Sequence, residues 1–227
     1  MLIASLVGIE TRATLDMDTT VRGIELNEHE IEKVMLEVLK VPIEDAVIMS
    51  LSKIESIRDE SDYSGLRLSI NAILDNTKQT IKIDITTGDK ITPNAIVHSF
   101  RMMFSDKSLS ILAYNLETIL SEKIETVLAR GVTNTRMRDF YDIHVLNQLY
   151  KSNFDYDILK SAFKETATHR GTYSVILSNH LETLASIVSS KDLEGMWKQY
   201  QKRNTYALSM KWNDVLISIK EFLAIIT

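Results

Sequence analysis

Asp16 and Asp18 stand two apart in Leu15-Asp-Met-Asp-Thr-Thr-Val21, a run that alternates like a β-strand. Period two puts both carboxylates on one face and Leu15 and Met17 on the other. Two like charges held so close repel each other. A divalent cation relieves that repulsion, and hard oxygen ligands suit Mg²⁺. The solvated face of an edge strand has the same pattern, so the pair alone decides nothing. A third acid, Asp84, lies in Ile81-Lys-Ile-Asp-Ile85, where the isoleucines face one way and Lys82 and Asp84 the other. An acid pair on one strand and a third acid on a neighbour is how two-metal nucleotidyl-transfer sites are built.

Two further clusters carry charge at helical spacing. Leu116, Ile119, Leu120, Ile124 and Val127 form an apolar stripe, and Lys123 falls on or beside it. Such a lysine either snorkels to solvent or points toward a phosphate. In Arg136-Met-Arg-Asp139-Phe-Tyr-Asp142, Arg136 shares a side with Asp139, and Arg138 can pair with Asp142 at i,i+4. Phe140, Ile143 and Leu146 supply the buried side of that helix.

The elements that must position these groups change character along the chain. Residues 11–113 hold β-branched runs of period two, and residues 114–227 read as helices almost throughout. Strands are expected at about 15–21, 46–57, 65–74 and 80–86, with two weaker ones at 97–104 and 108–113. Asn27 caps a helix that ends near Lys40, with Glu30 at the capping-box position. Asn115 caps another, which Gly131 is placed to end. Further helices are expected at about 136–150, 155–168, 179–189, 191–203 and 211–225. The fold class is α+β: a mixed sheet domain over 1–113, then a helical bundle over 114–227.

Composition removes whole classes of function. With 227 residues the chain has room for a real core. It has no cysteine, which excludes disulfides, zinc–thiolate sites and cysteine nucleophiles. Lys+Arg 26 against Asp+Glu 31 gives a net charge of −5, so a strongly basic protein that coats nucleic acid is excluded. The five histidines lack metal-ligand spacing, His144 reads as packed, and Trp197 and Trp212 read as core. The apolar opening at Met1–Gly8 is too short for a signal peptide or a transmembrane span, and a soluble cytoplasmic protein is expected.

In order along the chain, Arg12-Ala-Thr-Leu-Asp16-Met-Asp18, Ile83-Asp84-Ile85 with Gly88-Asp89, Ala113-Tyr-Asn-Leu-Glu-Thr-Ile-Leu-Ser-Glu-Lys123 and Asn134-Thr-Arg-Met-Arg-Asp139-Phe-Tyr-Asp142 resemble the AbiEii/AbiGii family of nucleotidyltransferase toxins. These are the toxin halves of type IV abortive-infection toxin–antitoxin systems. The resemblance runs to about residue 150. It implies a polymerase-β-type nucleotidyltransferase domain followed by a helical domain, and Mg²⁺-dependent transfer of a nucleotide from an NTP to RNA, at the acceptor end of tRNA. It implies an antitoxin that acts without binding the toxin, and no membrane partner.

Residue by residue, Asp16 and Asp18 match the metal-binding pair and Asp84 the third metal-binding acid, which also assists the incoming hydroxyl. Lys123 matches the lysine near the nucleotide phosphates, with Arg136 and Arg138 as further nucleotide-binding positions. Asp139 matches the acidic, catalytic residue of the last motif, where it either orients Lys123 or contacts the nucleobase. The glycine motif that cradles the triphosphate in the family is not matched in this sequence: either it lies upstream of Met1 or the cradle has been lost, and Leu2–Val7 would be the helix after it. Replacing Asp16 or Lys123 by alanine is expected to abolish activity with little loss of stability.

Two other readings use the same residues. Asp16-Met-Asp18-Thr-Thr20 fits the D-x-D-x-T of haloacid-dehalogenase-type phosphatases, although the preceding residues are polar and the downstream G-D-x-x-x-D is not matched. A truncated transferase fold could also serve as a non-catalytic module that binds RNA or antitoxin, using Arg130, Arg136 and Arg138, or Lys198, Lys202 and Arg203.

Overall fold

The structure is a computed structural model that describes residues 2–8, 16–42, 45–58, 64–102 and 106–227, without the side chains of Asp16, Arg58 and Ser64. The Arg12–Leu15 stretch that opens the first motif therefore lies outside the described residues. The chain divides into two compact units, one running to Asp89 and the other holding everything from Lys90 onward together with the first helix. The sequence had suggested a boundary at 113/114. The contacts draw it 24 residues earlier, at 89/90, because the hairpin strands that follow group with the helices.

The first unit is a four-stranded sheet with one helix. Its strands are β1 (Asp16–Val21), β2 (Ile48–Arg58), β3 (Ser64–Leu74) and β4 (Thr77–Thr87), in the order β1-β4-β3-β2. β1 runs parallel to β4, and the other pairs are antiparallel. Alternation sorts the faces. Leu66, Leu68 and Ile70 of β3 pair with Ile85, Ile83 and Ile81 of β4, so six aliphatic side chains share one face. The helix α2 (Glu28–Val38) lies on that face through Ile31, which is 2% exposed, with Leu26 and Met35 beside it. Asn27 caps α2 by accepting from the Glu30 N–H at 2.8 Å. Gly65 has a packing reason: a Cβ there would meet Ile57 at 2.9 Å and the Ile85 carbonyl at 3.2 Å.

This topology disposes of the phosphatase reading. A D-x-D-x-T nucleophile ends the first strand of a parallel, doubly wound sheet. Here, among the described residues, β1–β4 is the one parallel pair in a four-stranded mixed sheet.

The second unit contains α1 (Leu2–Val7), the hairpin β5 (Ile96–Arg101) and β6 (Ser108–Ala113), and the helices α3 (Leu116–Arg130), α4 (Met137–Tyr150), α5 (Tyr156–His169), α6 (Tyr173–Ser189), α7 (Lys191–Arg203) and α8 (Trp212–Ile226). The expected helix at 179–189 starts earlier, at Tyr173, directly after Gly171 closes α5 at φ 69°. α3 is the central helix: Leu120, Ile124 and Val127 are fully buried against α4, α5, α6 and α8. Asn115 holds its start, accepting from the Thr118 N–H at 2.8 Å and donating to the Thr92 carbonyl. Gly131 ends it at φ 51°. Trp197 is 1% exposed and Trp212 packs against the same core, as the helical periods suggested.

Candidate functional site

The polar face of the sheet gathers the first set of groups. The β1–β4 register places Asp16 opposite Lys82, Asp18 opposite Asp84 and Thr20 opposite Thr86. Paired residues on parallel neighbours point the same way, across a strand spacing of about 4.8 Å. Asp18 is exposed and Asp84 half-buried. Asp16 occupies the first described position of β1, and its side chain lies outside the described residues. One step along, the Thr20 and Thr86 hydroxyls both donate to Asp89 Oδ2 at 2.5 Å, which fixes the end of β4 against β1.

Asp84 also has a partner on its other side. Arg67 Nε donates to Oδ1 at 2.7 Å and a terminal guanidinium N–H donates to Oδ2 at 2.6 Å, a two-bond fork. Arg67 is absent from the sequence reading, although its signal was present. If Leu66, Leu68 and Ile70 face the core, Arg67 must share the face of Asp84.

The second set lies on α3 and α4. Lys123 Nζ sits 2.8 Å from Asp139 Oδ1 and 2.8 Å from Asp142 Oδ2. The side chains are 15%, 4% and 0% exposed respectively, so Lys123 is mostly covered and its ammonium turns to the two carboxylates instead of snorkelling. Arg136 Nε lies 3.0 Å from Asp139 Oδ2. Asn134 sets this arginine at the head of α4, accepting from the Arg136 N–H at 2.8 Å. For Asp142 the sequence offered Arg138 at i,i+4, and the fold adds Lys123 from α3 as a partner. Arg138 is half-buried and acts on the Tyr200 hydroxyl electrostatically.

Burial works to lower the Lys123 pKa, but the carboxylates of Asp142 and Asp139 outweigh it and hold the ammonium above its ordinary value. Beside this group Tyr200 bonds Tyr206, hydroxyl to hydroxyl, at 3.0 Å. Burial, then that bond, pushes the Tyr200 pKa up. His144 is packed, as expected: it is 6% exposed and bonds Ser218 through Nδ1 at 2.9 Å.

Among the described residues, no three His, Asp or Glu side chains gather as a metal-binding group, a statement that leaves out the Asp16 side chain. No described helix is long and apolar enough to cross a membrane.

Comparison with solved structures gives two Helicobacter pylori structures. JHP933 matches with a TM-score of 0.50 at 16% identity, covering 100% of this chain and 82% of that one. A structure provisionally described as a nucleotidyltransferase matches with a TM-score of 0.49 at 16% identity, covering 100% and 85%. At this identity the JHP933 match speaks for the fold alone. No curated protein matches the sequence. The family described as "Nucleotidyl transferase AbiEii toxin, Type IV TA system" matches residues 1–222, nearly the whole chain. With its acids on adjacent strands and its lysine held by two carboxylates, the chain belongs to the AbiEii family of nucleotidyltransferase toxins.

Proposed function

We propose that the chain transfers a nucleotide from an NTP to RNA, at the acceptor end of tRNA, with Mg²⁺ as its metal, and that its antitoxin opposes it without direct binding. The observation that carries this reading is the parallel register of Asp18 with Asp84, two carboxylates on one face of adjacent strands. The donor set fits the metal, since carboxylate oxygens are the ligands a small hard cation takes. Asp16, Asp18 and Asp84 would hold it, Asp84 being already bonded to Arg67 through both oxygens. When bound, the ion activates the attacking hydroxyl and neutralises charge on the triphosphate.

The remaining work falls to the chain's own cations. Lys123 places a positive charge near the phosphates, and Arg136 and Arg138 bind the nucleotide, as electrostatic stabilisation of this kind requires. An ammonium has three N–H donors. Asp139 and Asp142 take two of those on Lys123, which fixes the direction of the third. Asp139 thereby orients Lys123.

Incubation with bulk tRNA, Mg²⁺ and each α-³²P-labelled NTP in turn, followed by gel electrophoresis, tests the proposal. Labelled tRNA with one NTP is the expected result. Folded protein that labels no RNA with any NTP sinks the reading and favours a binding role.

A further inference from the structure

Asp84 is flanked by opposite charges on one sheet face. In β1 its register partner is Asp18, and in β3 its register partner is Arg67. The backbone therefore presents the acid to the guanidinium directly, and the pair does not depend on two long side chains meeting by chance. Both carboxylate oxygens accept from Arg67, at 2.7 and 2.6 Å. The two side chains are only 35% and 17% exposed, so solvent screens the pair less than a surface ion pair. A forked guanidinium–carboxylate pair is among the stronger charge-assisted contacts. A divalent ion on Asp84 would share the carboxylate with this fork and be repelled by its positive charge.

We propose that Arg67 is an internal cation that holds Asp84 out of divalent coordination, so that the sheet takes one divalent ion on Asp16 and Asp18 and reaches Asp84 only when the guanidinium releases it. The proposal rests on the reading of these three acids as metal ligands. It makes Arg67 a positioning residue whose effect is visible in metal binding without turnover.

The test is titration of Mn²⁺ into the full chain without nucleotide or RNA, with free Mn²⁺ followed by electron paramagnetic resonance. Wild type is expected to bind one ion, and Asp18→Asn to lose it. Arg67→Gln is expected to bind roughly tenfold more tightly or to take a second ion, because a unit charge has left the carboxylate. The gain should vanish in Arg67→Gln/Asp84→Asn. Arg67→Lys, which keeps the charge and loses the fork, should fall between wild type and Arg67→Gln, and it keeps the test open if the glutamine variant misfolds. A folded Arg67→Gln with wild-type affinity and stoichiometry overturns the proposal while leaving the metal reading intact, as does a gain that survives removal of Asp84. Equal Mn²⁺ binding by wild type and Asp18→Asn overturns both.

Discussion

Asp142 Oδ2 lies 2.8 Å from Lys123 Nζ, the same distance as Asp139 Oδ1, and Asp142 is the more deeply buried of the two acids. One ammonium is thus the shared counter-ion of two carboxylates that solvent hardly reaches. The arrangement ties α3 to α4, and it changes what removal of the lysine does.

Lys123→Ala is expected to destabilise the helical unit by about 3 kcal/mol, the low end for a broken buried ion pair, because Arg136 still faces Asp139 Oδ2 at 3.0 Å. The sequence alone suggested little loss of stability, but the burial of Asp139 and Asp142 argues otherwise. Urea denaturation followed by circular dichroism measures the change. Lys123→Ala combined with Asp139→Asn and Asp142→Asn should recover part of it, since both side chains that faced the ammonium are then neutral.

Stability should also fall at high pH. The folded Lys123 pKa lies above its ordinary value, so its contribution is complete below about 10.5 and lost as pH rises through the folded value. Tyr200, also raised, acts in the same direction, because the unfolded chain releases its phenolic proton first. Denaturant midpoints between pH 8 and 12 should decline more steeply for wild type than for Lys123→Met.

His144 acts at the opposite end of the scale. Burial lowers its pKa, with Asp214 opposing weakly. The folded protein therefore favours neutral imidazole. That stability is present above the unfolded value near 6.5 and is lost as pH falls toward the folded one. His144→Asn should flatten the stability profile between pH 5 and 7, as read from thermal midpoints.

On the sheet, Asp18→Asn should separate activity from stability. Asp18 is exposed, so its replacement should change stability by no more than about 0.5 kcal/mol. Labelling of tRNA in the α-³²P assay should fall by a factor on the order of 100 or more. Normal labelling by the well-folded variant removes Asp18 from the site.

The legible parts of the fold were those written in local pattern. Asn115 and Gly131 bracket α3 because a capping side chain and a residue tolerant of positive φ mark the two ends of a helix. Alternation in Ile81–Ile85 separated Asp84 from the core, and the same rule would have placed Arg67. Partner choice was not legible. For Asp142 the local rule offered Arg138, whereas the fold supplies Lys123 from another helix. Nor does any local pattern show that β1 lies beside β4 instead of joining the next strand in sequence.

That strand order has a kinetic consequence. β2, β3 and β4 form a meander in which each strand pairs with its neighbour in the chain. Such pairings close small loops and form early. β1 instead pairs with β4 across a long separation, 66 residues between Thr20 and Thr86. On a ribosome β1 emerges first yet has no edge to join until β4 has followed it. The last strand to dock brings Asp18 beside Asp84, so the acidic face is assembled at the end of folding. An incomplete chain ending before β4 carries two of the three acids and none of their geometry.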